Sequence, residues 1–156
     1  MEKGKIDRTT VKEVDLKRYM GNWYEIARFN HWFERGLEAV TAVYILKENG
    51  RIAVRNCGHK GGVSGKLKCT YGKAKLPDPA QPGKLKVTFF LFFYSDYYIL
   101  ELDENYQWAL VGSSSVNYLW ILSRTPHMPS QTLTGILQKA RARGYDTNKL
   151  IFVTHA

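Results

Sequence analysis

Hydrophobic and polar residues alternate along most of this chain, in short stretches that are separated by turn residues. A period of two is typical of antiparallel strands that bury one face. The pattern predicts eight consecutive strands, followed by one helix and a short ninth strand. The eight strands are predicted over residues 23–29, 39–46, 51–56, 66–75, 84–93, 97–102, 106–113 and 118–123.

The segments between these strands carry turn signals. Asn49-Gly50 stands between two apolar stretches and predicts a two-residue type I′ hairpin, because both residues accept a positive φ. A glycine-rich loop over 58–65 and a proline-containing loop over 77–83 separate the next strands. Eight sequential antiparallel strands close into an up-and-down barrel that holds packed side chains or one small ligand. We therefore expect one all-β domain over residues 1–156, with residues 1–13 as a flexible arm.

The period changes once, after the last predicted hairpin. Ser130 is predicted as the N-cap of a helix, and basic residues fill the last helical turn before Gly144. We expect this helix to lie against the outside of the barrel, before the ninth strand at 150–153. The apolar residues at helical spacing are Leu133, Ile136, Leu137 and Ala140.

Three segments of the chain resemble the lipocalin family, and in particular its bacterial outer-membrane lipoprotein branch. They are residues 18–29, which contain Gly21-Asn22-Trp23-Tyr24, residues 33–37, and residues 118–126, which contain Leu122-Ser123-Arg124-Thr125-Pro126. The likeness covers roughly residues 11–155. It implies a lipocalin calyx, which is an eight-stranded antiparallel barrel with one C-terminal helix.

In such a calyx, Trp23 and Arg124 meet at the closed end beside Gly21. A guanidinium over an indole is a cation–π contact worth about 0.5–2 kcal/mol. We expect this contact to close the barrel.

The closure residues predict which other side chains point into the barrel, because side chains two residues apart on a strand share a face. If Arg124 reaches inward, Trp120 and Tyr118 do so too, and Trp120 lies roughly 13 Å above the closed end. The same parity turns Ala27 inward, together with Glu25, whose carboxylate then needs a basic or hydroxyl partner. The strand at 84–93 is apolar on both faces, and its predicted inward set continues past its end: Phe90, Phe92 and Tyr94. A bulge would exchange the two faces of this strand.

The resemblance implies a binding protein that stores or transports a fatty acid or lysophospholipid in its calyx for membrane lipid maintenance. The polar head would lie near the rim, held by Tyr94 or a basic neighbour. The formal charge of +9 fits an anionic head group. Because the basic residues form no dense run, no nucleic-acid partner is predicted. The branch implies the periplasmic side of the outer membrane, with peripheral association through an anchor that this chain does not show.

Two alternatives use the same barrel: a lipocalin-scaffold enzyme, or a tetrapyrrole or haem carrier. Both need a histidine, a thiol or a general acid inside the barrel, and parity places no histidine or cysteine there. Gly112–Val116 lacks the second glycine of a nucleophile elbow, and the histidines lack metal-site spacing. We therefore predict no catalysis, no cofactor and no metal. The outward face of the 84–93 strand leaves a homodimer open as a further prediction.

Cys57 and Cys69 are equidistant from Val63, the centre of the predicted hairpin. A disulfide between them is geometrically allowed. Two reduced thiols are the alternative, because two cysteines do not identify a redox compartment.

Overall fold

Two helices and nine strands follow one another in a computed structural model that describes residues 5–30, 36–90 and 93–155. The side chains of Phe90 and Phe93 lie outside this description. The elements are α1 (Leu16–Tyr19), β1 (Gly21–Phe29), β2 (Leu37–Leu46), β3 (Ile52–Lys60), β4 (Lys66–Lys75), β5 (Lys84–Phe90), β6 (Phe93–Leu102), β7 (Trp108–Gly112), β8 (Leu119–Ser123), α2 (Ser130–Ala142), a 3-10 turn (Thr147–Lys149) and β9 (Leu150–Phe152).

Strand β1 closes the sheet into a barrel because it has partners along both edges. It pairs with β8 on one edge, and on the other edge its first half, Gly21–Tyr24, pairs with β2. Its second half, Ala27–Phe29, pairs with β9 on the edge where β2 has diverged. All pairings are antiparallel and sequential from β2 to β8. The predicted eight-stranded up-and-down barrel with one C-terminal helix and a ninth strand is confirmed.

The β2–β3 hairpin differs in detail from the predicted type I′ turn. Lys47 and Arg51 are joined by a backbone hydrogen bond of 2.8 Å, so that three residues form the loop. Gly50 has a φ of +81°, whereas Asn49 is not among the residues of positive φ. A three-residue loop with glycine in the left-handed region is the next most common hairpin connection. The Asn-Gly signal therefore marks the turn correctly but not its length.

The barrel wall separates two apolar clusters. The calyx cluster lies inside the barrel, and the helix-side cluster lies between the wall and α2. Buried members of the calyx cluster are Tyr19, Trp23, Ala42, Tyr44, Ile52, Val54, Ala74, Leu85, Ile99, Ala109, Val111 and Leu122. Buried members of the helix-side cluster are Ile26, Ala27, Phe29, Leu100, Leu110, Leu119, Ile121, Ile136, Ala140, Tyr145 and Leu150.

A bulge in β1 overturns one inward assignment. The register against β8 shifts between Glu25, opposite Leu122, and Ala27, opposite Ile121. Ile26 is the inserted residue, and it exchanges the faces of everything that follows. Ala27 is therefore fully buried on the helix side of the wall and does not line the calyx.

Helix α2 lies outside the barrel as predicted, although Pro129 occupies the N-cap position and Ser130 begins the helix. Just after the helix, Arg143 contacts residues 7–9 of the N-terminal arm. Its Nη1 donates to the backbone oxygens of Asp7 (2.9 Å) and Thr9 (2.8 Å). Its Nε donates to a Glu101 carboxylate oxygen on β6 at 2.8 Å. One guanidinium thus joins the arm, the helix end and the barrel.

At the closed end of the barrel, the Arg124 guanidinium lies 3.7 Å from the ring centre of Trp23. The same group donates to three backbone oxygens: those of Tyr106 (3.0 Å), Asn22 (2.9 Å) and Arg18 (2.6 Å). Gly21 has a φ of +96°, and a Cβ built on it would lie 3.6 Å from Arg124 Nη1. These contacts tie α1, β1 and the β6–β7 turn to the end of β8.

We predict that Arg124→Ala lowers the free energy of unfolding by about 3 kcal/mol, because it removes a cation–π contact and charge-assisted hydrogen bonds together. Urea unfolding followed by tryptophan fluorescence measures this loss. Arg51→Ala, at an exposed arginine of the β2–β3 turn, is the matched control and should cost less than about 0.5 kcal/mol. Equal losses in the two variants would mean that Arg124 does not close the barrel.

Candidate functional site: the calyx

Three tyrosines form the floor of the calyx. The hydroxyl of Tyr97 lies 2.7 Å from that of Tyr19 and 3.1 Å from that of Tyr44. Tyr19 comes from α1, which is held by a 2.8 Å hydrogen bond from the Trp23 indole to the Tyr19 carbonyl oxygen. Burial raises the pKa of Tyr19 and of Tyr97 well above the ordinary value, and the neighbouring hydroxyls add to this effect in Tyr97. The floor is therefore a neutral, internally hydrogen-bonded group.

Side chains fill the space around these tyrosines. The cavity between them measures about 10 Å³, which is room for a single water molecule. A ligand with an apolar chain therefore has to lie above this level. The cavity is lined by Tyr19, Met20, Tyr44, Ile52, Ala74, Leu85, Val87 and Tyr97.

Trp120 lies higher on the inner wall. It packs against the calyx cluster while remaining partly exposed, and its β1 partner across the ladder is Arg28. Tyr118 stacks on Trp120, with ring centres 5.8 Å apart and planes inclined by 14°. The two predicted ligand contacts are thus adjacent, and they form a flat aromatic surface at the upper wall.

An ion pair that the sequence did not suggest lies beside this surface. Arg28 Nη1 donates to Glu25 Oε1 at 3.1 Å, and both side chains are almost completely buried. Arg28 Nη2 donates to the backbone oxygen of Leu37 at the start of β2. Since Arg28 is opposite Trp120 and Glu25 is opposite Leu122, both face inward. The buried carboxylate expected on β1 has its basic partner three residues along the same strand.

Tyr94 does not line the calyx, contrary to the prediction. On β5 the inward residues are Leu85, Val87 and Phe89, which pack in the calyx cluster. Asp96 on β6 is paired with Lys86, which faces outward, so Tyr94 shares the outer face with Asp96. Its ring is covered by Lys75 Nζ, 4.2 Å from the ring centre. The parity was assigned one residue out of register on this strand pair.

The other two residues of that predicted inward set cannot be placed by the structure. Phe92 lies outside the described residues, as does the side chain of Phe90. The same holds for His31 and for Phe33, Glu34 and Arg35 of the second resembling segment. Phe89 packs against the calyx cluster and continues the inward series of Leu85 and Val87 on β5.

Three lysines stand at the turn end of the β3–β4 hairpin, which lies at the open end of the barrel. Lys60 is paired with Lys66, and Lys68 with Gly58. These positions continue the inward series of Ile52, Val54 and Asn56, and all three lysines are exposed. We call them the rim lysines. They bring positive charge to the mouth of the calyx, directly above its apolar wall.

Asn56 places a polar group on the inner wall below the rim lysines. It is opposite Ala42 on one side and Thr70 on the other. Its amide oxygen is buried and accepts no hydrogen bond from the residues that the structure describes.

Cys57 and Cys69 form a disulfide across the β3–β4 ladder, with Cα atoms 4.1 Å apart. Parity places the bridge on the outer face of the wall, next to the inward Asn56. His59 also faces outward, and its Nδ1 lies 2.9 Å from the Gly65 carbonyl oxygen. His155 Nε2 contacts the Glu25 backbone oxygen at 2.7 Å. Within residues 5–30, 36–90 and 93–155, no group of three or more acidic, histidine or cysteine side chains could hold a metal.

Comparison with known proteins identifies the family. The model of the lipocalin-like domain matches residues 14–155. The outer membrane lipoprotein Blc of Vibrio cholerae is 44% identical over 92% of this chain and 84% of its own length. Blc of Escherichia coli is also 44% identical, over 93% of this chain and 81% of its own. Mouse apolipoprotein D is 37% identical over 94% and 80%. The chain belongs to the lipocalin family, whose members bind small hydrophobic ligands.

Solved structures agree on the fold. Insecticyanin from the tobacco hornworm superposes with a TM-score of 0.75 at 20% identity, over 96% of this chain and 85% of its own. The cockroach allergen Per a 4 superposes with a TM-score of 0.73 at 18% identity, over 95% and 92%. Neither described helix has the length and apolar character that crossing a membrane requires.

We predict that alkali destabilises the protein through the floor tyrosines. An unfolded tyrosine ionises near pH 10, whereas the raised pKa values keep Tyr19 and Tyr97 protonated in the folded state. Raising the pH above about 10 therefore favours the unfolded state and lowers the free energy of unfolding. Tyr97→Phe removes one of these groups and should make the fall with pH shallower. Urea unfolding at a series of pH values measures it.

At neutral pH, Tyr97→Phe should cost about 1–2 kcal/mol, because two hydroxyls lose their shared partner. Tyr71→Phe is the control, since its ring is largely exposed on the outer wall. If the free energy of unfolding falls equally steeply with pH in the wild type and in Tyr97→Phe, the floor tyrosines do not cause the loss of stability in alkali.

Proposed function

We propose that this protein binds a fatty acid or a lysophospholipid in the upper calyx and stores or carries it for membrane lipid maintenance. The supporting observation is the vertical order of the inner wall: a filled tyrosine floor, an apolar and aromatic middle, and rim lysines at the mouth. An amphiphile with one acyl chain and one anionic head matches this order. The acyl chain would point towards the tyrosine floor, and the head group would lie at the mouth of the calyx.

The acyl chain would lie along Trp120, Tyr118 and the inward residues of β5. Phe89 belongs to the same calyx cluster as Trp120, and both remain partly exposed. Each buried methylene contributes about 0.8 kcal/mol, so that the chain supplies most of the affinity. The filled floor would stop the chain above the tyrosines.

The head group would be held by the rim lysines, in place of the Tyr94 hydroxyl considered from the sequence. Three ammonium groups favour a carboxylate or a phosphate. The Glu25–Arg28 pair below is already matched in charge. The anion therefore finds excess positive charge at the mouth and not at the pair.

The names of the relatives support the same function and location. Two bacterial relatives are named outer membrane lipoproteins, and the mouse relative is named an apolipoprotein. We infer the periplasmic side of the outer membrane, with peripheral association through a lipid anchor. The homodimer stays a prediction.

Binding without catalysis is the function that the site supports best. A tetrapyrrole or haem carrier, or a lipocalin-scaffold enzyme, would use a histidine or thiol within the calyx. The histidines at 59 and 155 have partners outside it, and the two cysteines are joined on the outer face. Nothing in the described wall favours these alternatives over a lipid.

We predict that Trp120→Ala weakens binding of a fluorescent fatty-acid analogue by about ten-fold, because the acyl chain loses an aromatic contact in the upper calyx. Fluorescence titration with competition by lysophospholipid measures this. Trp108→Ala is the matched control, since Trp108 packs in the helix-side cluster on the other side of the wall. If Trp120→Ala binds as tightly as wild type, or if both variants lose equally, Trp120 does not contact the ligand.

The triple variant Lys60→Gln, Lys66→Gln and Lys68→Gln tests the head-group position. We expect weaker binding of the fatty acid, by about ten-fold at low salt, and little change for the corresponding uncharged fatty alcohol. Lys12→Gln, Lys139→Gln and Lys149→Gln together remove the same charge from exposed positions elsewhere. An equal loss in the two triple variants would indicate a general charge effect and contradict head-group contact at the rim.

A further inference from the structure

We propose that the outer face of β2–β4 is a docking surface for anionic lipid bilayers. We call it the basic face, and we define it by Ile45, Arg55, Leu67, Tyr71 and Lys73. Its contact with lipid does not depend on what the calyx holds.

Three large apolar side chains of the basic face are exposed. The exposed fractions are 58% for Ile45, 57% for Leu67 and 69% for Tyr71. All three occupy outward positions. Ile45 follows the inward Tyr44, and Leu67 and Tyr71 alternate on β4 with the inward series that ends at Ala74. From Leu67 to Lys73 the face extends roughly 20 Å along β4. Apolar side chains grouped in this way on one outer wall mark an interaction surface.

Basic residues are interleaved with these apolar side chains. Arg55 stands directly opposite Tyr71, and Ala53 lies between Ile45 and Lys73 in the ladder. Both Arg55 and Lys73 are exposed. Residues 37–75 contain eight lysines and arginines against two glutamates, a formal balance of +6 out of +9 for the whole chain. Three of these eight are the rim lysines, and the outward positions of β3 and β4 carry Arg55, Lys73 and Lys75.

Charge and side-chain chemistry select an anionic bilayer as the partner. Lysine and arginine are attracted to the negative lipid surface, and tyrosine, leucine and isoleucine enter the interfacial layer. A second copy of the chain would bring the same positive face against itself, which opposes a symmetric contact. A nucleic acid would use the charges but gains no stacking from Ile45 or Leu67.

The test is cosedimentation of the protein with vesicles of equimolar phosphatidylglycerol and phosphatidylcholine, compared with pure phosphatidylcholine. We expect binding to the anionic vesicles only, and loss of most of it in about 1 M salt, where the Debye length is about 3 Å. The double variant Arg55→Gln and Lys73→Gln should bind roughly thirty-fold more weakly, or about five-fold for each charge. Tyr71→Ser should also bind more weakly and reduce the salt-resistant fraction.

Matched controls remove the same groups from other faces. Lys139→Gln with Lys149→Gln removes two exposed charges, and Phe152→Ser removes an exposed aromatic ring from β9. Both should retain binding within about two-fold of wild type. Equal losses in the charge control and the basic-face variant would overturn the proposal, as would equal binding to neutral vesicles.

Three further results separate this proposal from its alternatives. Thermal unfolding of all variants should be unchanged, which shows that the losses are local. The affinity for a fatty acid should be unaffected by Arg55→Gln and Lys73→Gln. The vesicle-binding proposal and the calyx-binding proposal are therefore tested independently. A dimer in sedimentation velocity that Tyr71→Ser abolishes, or oligonucleotide binding tighter than vesicle binding, would assign the face to another partner and overturn the proposal.

Discussion

A single guanidinium holds the closed end of this barrel together. Arg124 covers the indole of Trp23 and donates to the backbone oxygens of three separate segments. Without a planar donor at this point, three carbonyl groups would lose the donor that they share, and a lysine could not reproduce the geometry of the fork. The Trp23 indole in turn binds the Tyr19 carbonyl oxygen, which fixes α1 below the barrel. The position of the Tyr19 ring, and with it the floor of the calyx, therefore follows from the closure.

The floor in turn determines which way a ligand can face. The hydroxyls of Tyr19, Tyr44 and Tyr97 satisfy one another, and the space among them is about the size of one water molecule. A polar head has no open partner there, and an apolar chain has no room. The polar groups that are exposed lie above, at the mouth: they are the rim lysines. On the proposed function, an amphiphile would enter with its chain first, because the floor hydroxyls already have their hydrogen-bond partners.

The barrel could be predicted from the sequence because period-two alternation and turn residues recur in each hairpin. The closure could be predicted because Trp23 and Arg124 stand in segments that resemble a known family.

Alternation along a strand did not predict the inward side chains correctly everywhere. Residues 88–94 are mostly apolar on both faces, so the pattern does not say on which side Tyr94 lies. It failed again at Ala27 because a bulge leaves no mark in an apolar pattern. Yet Glu25 and Arg28, three residues apart, can share a face of a strand only if one residue is inserted between them. That pair was the available signal for the bulge, and it was missed.

The strands β3 and β4 show how one alternating sequence produces two surfaces. Inward residues such as Val54 and Ala74 build the calyx wall, and the outward residues between them build the basic face. At the open end the two surfaces meet on a single strand, where Lys66 and Lys68 belong to the rim and Leu67 belongs to the basic face. Neighbouring residues on a strand are only about 3.3 Å apart along its axis. On the proposed arrangement, a bilayer in contact with Leu67 would lie beside the lysines that receive the head group. A lipid could then move between the membrane and the calyx while its acyl chain stays out of water.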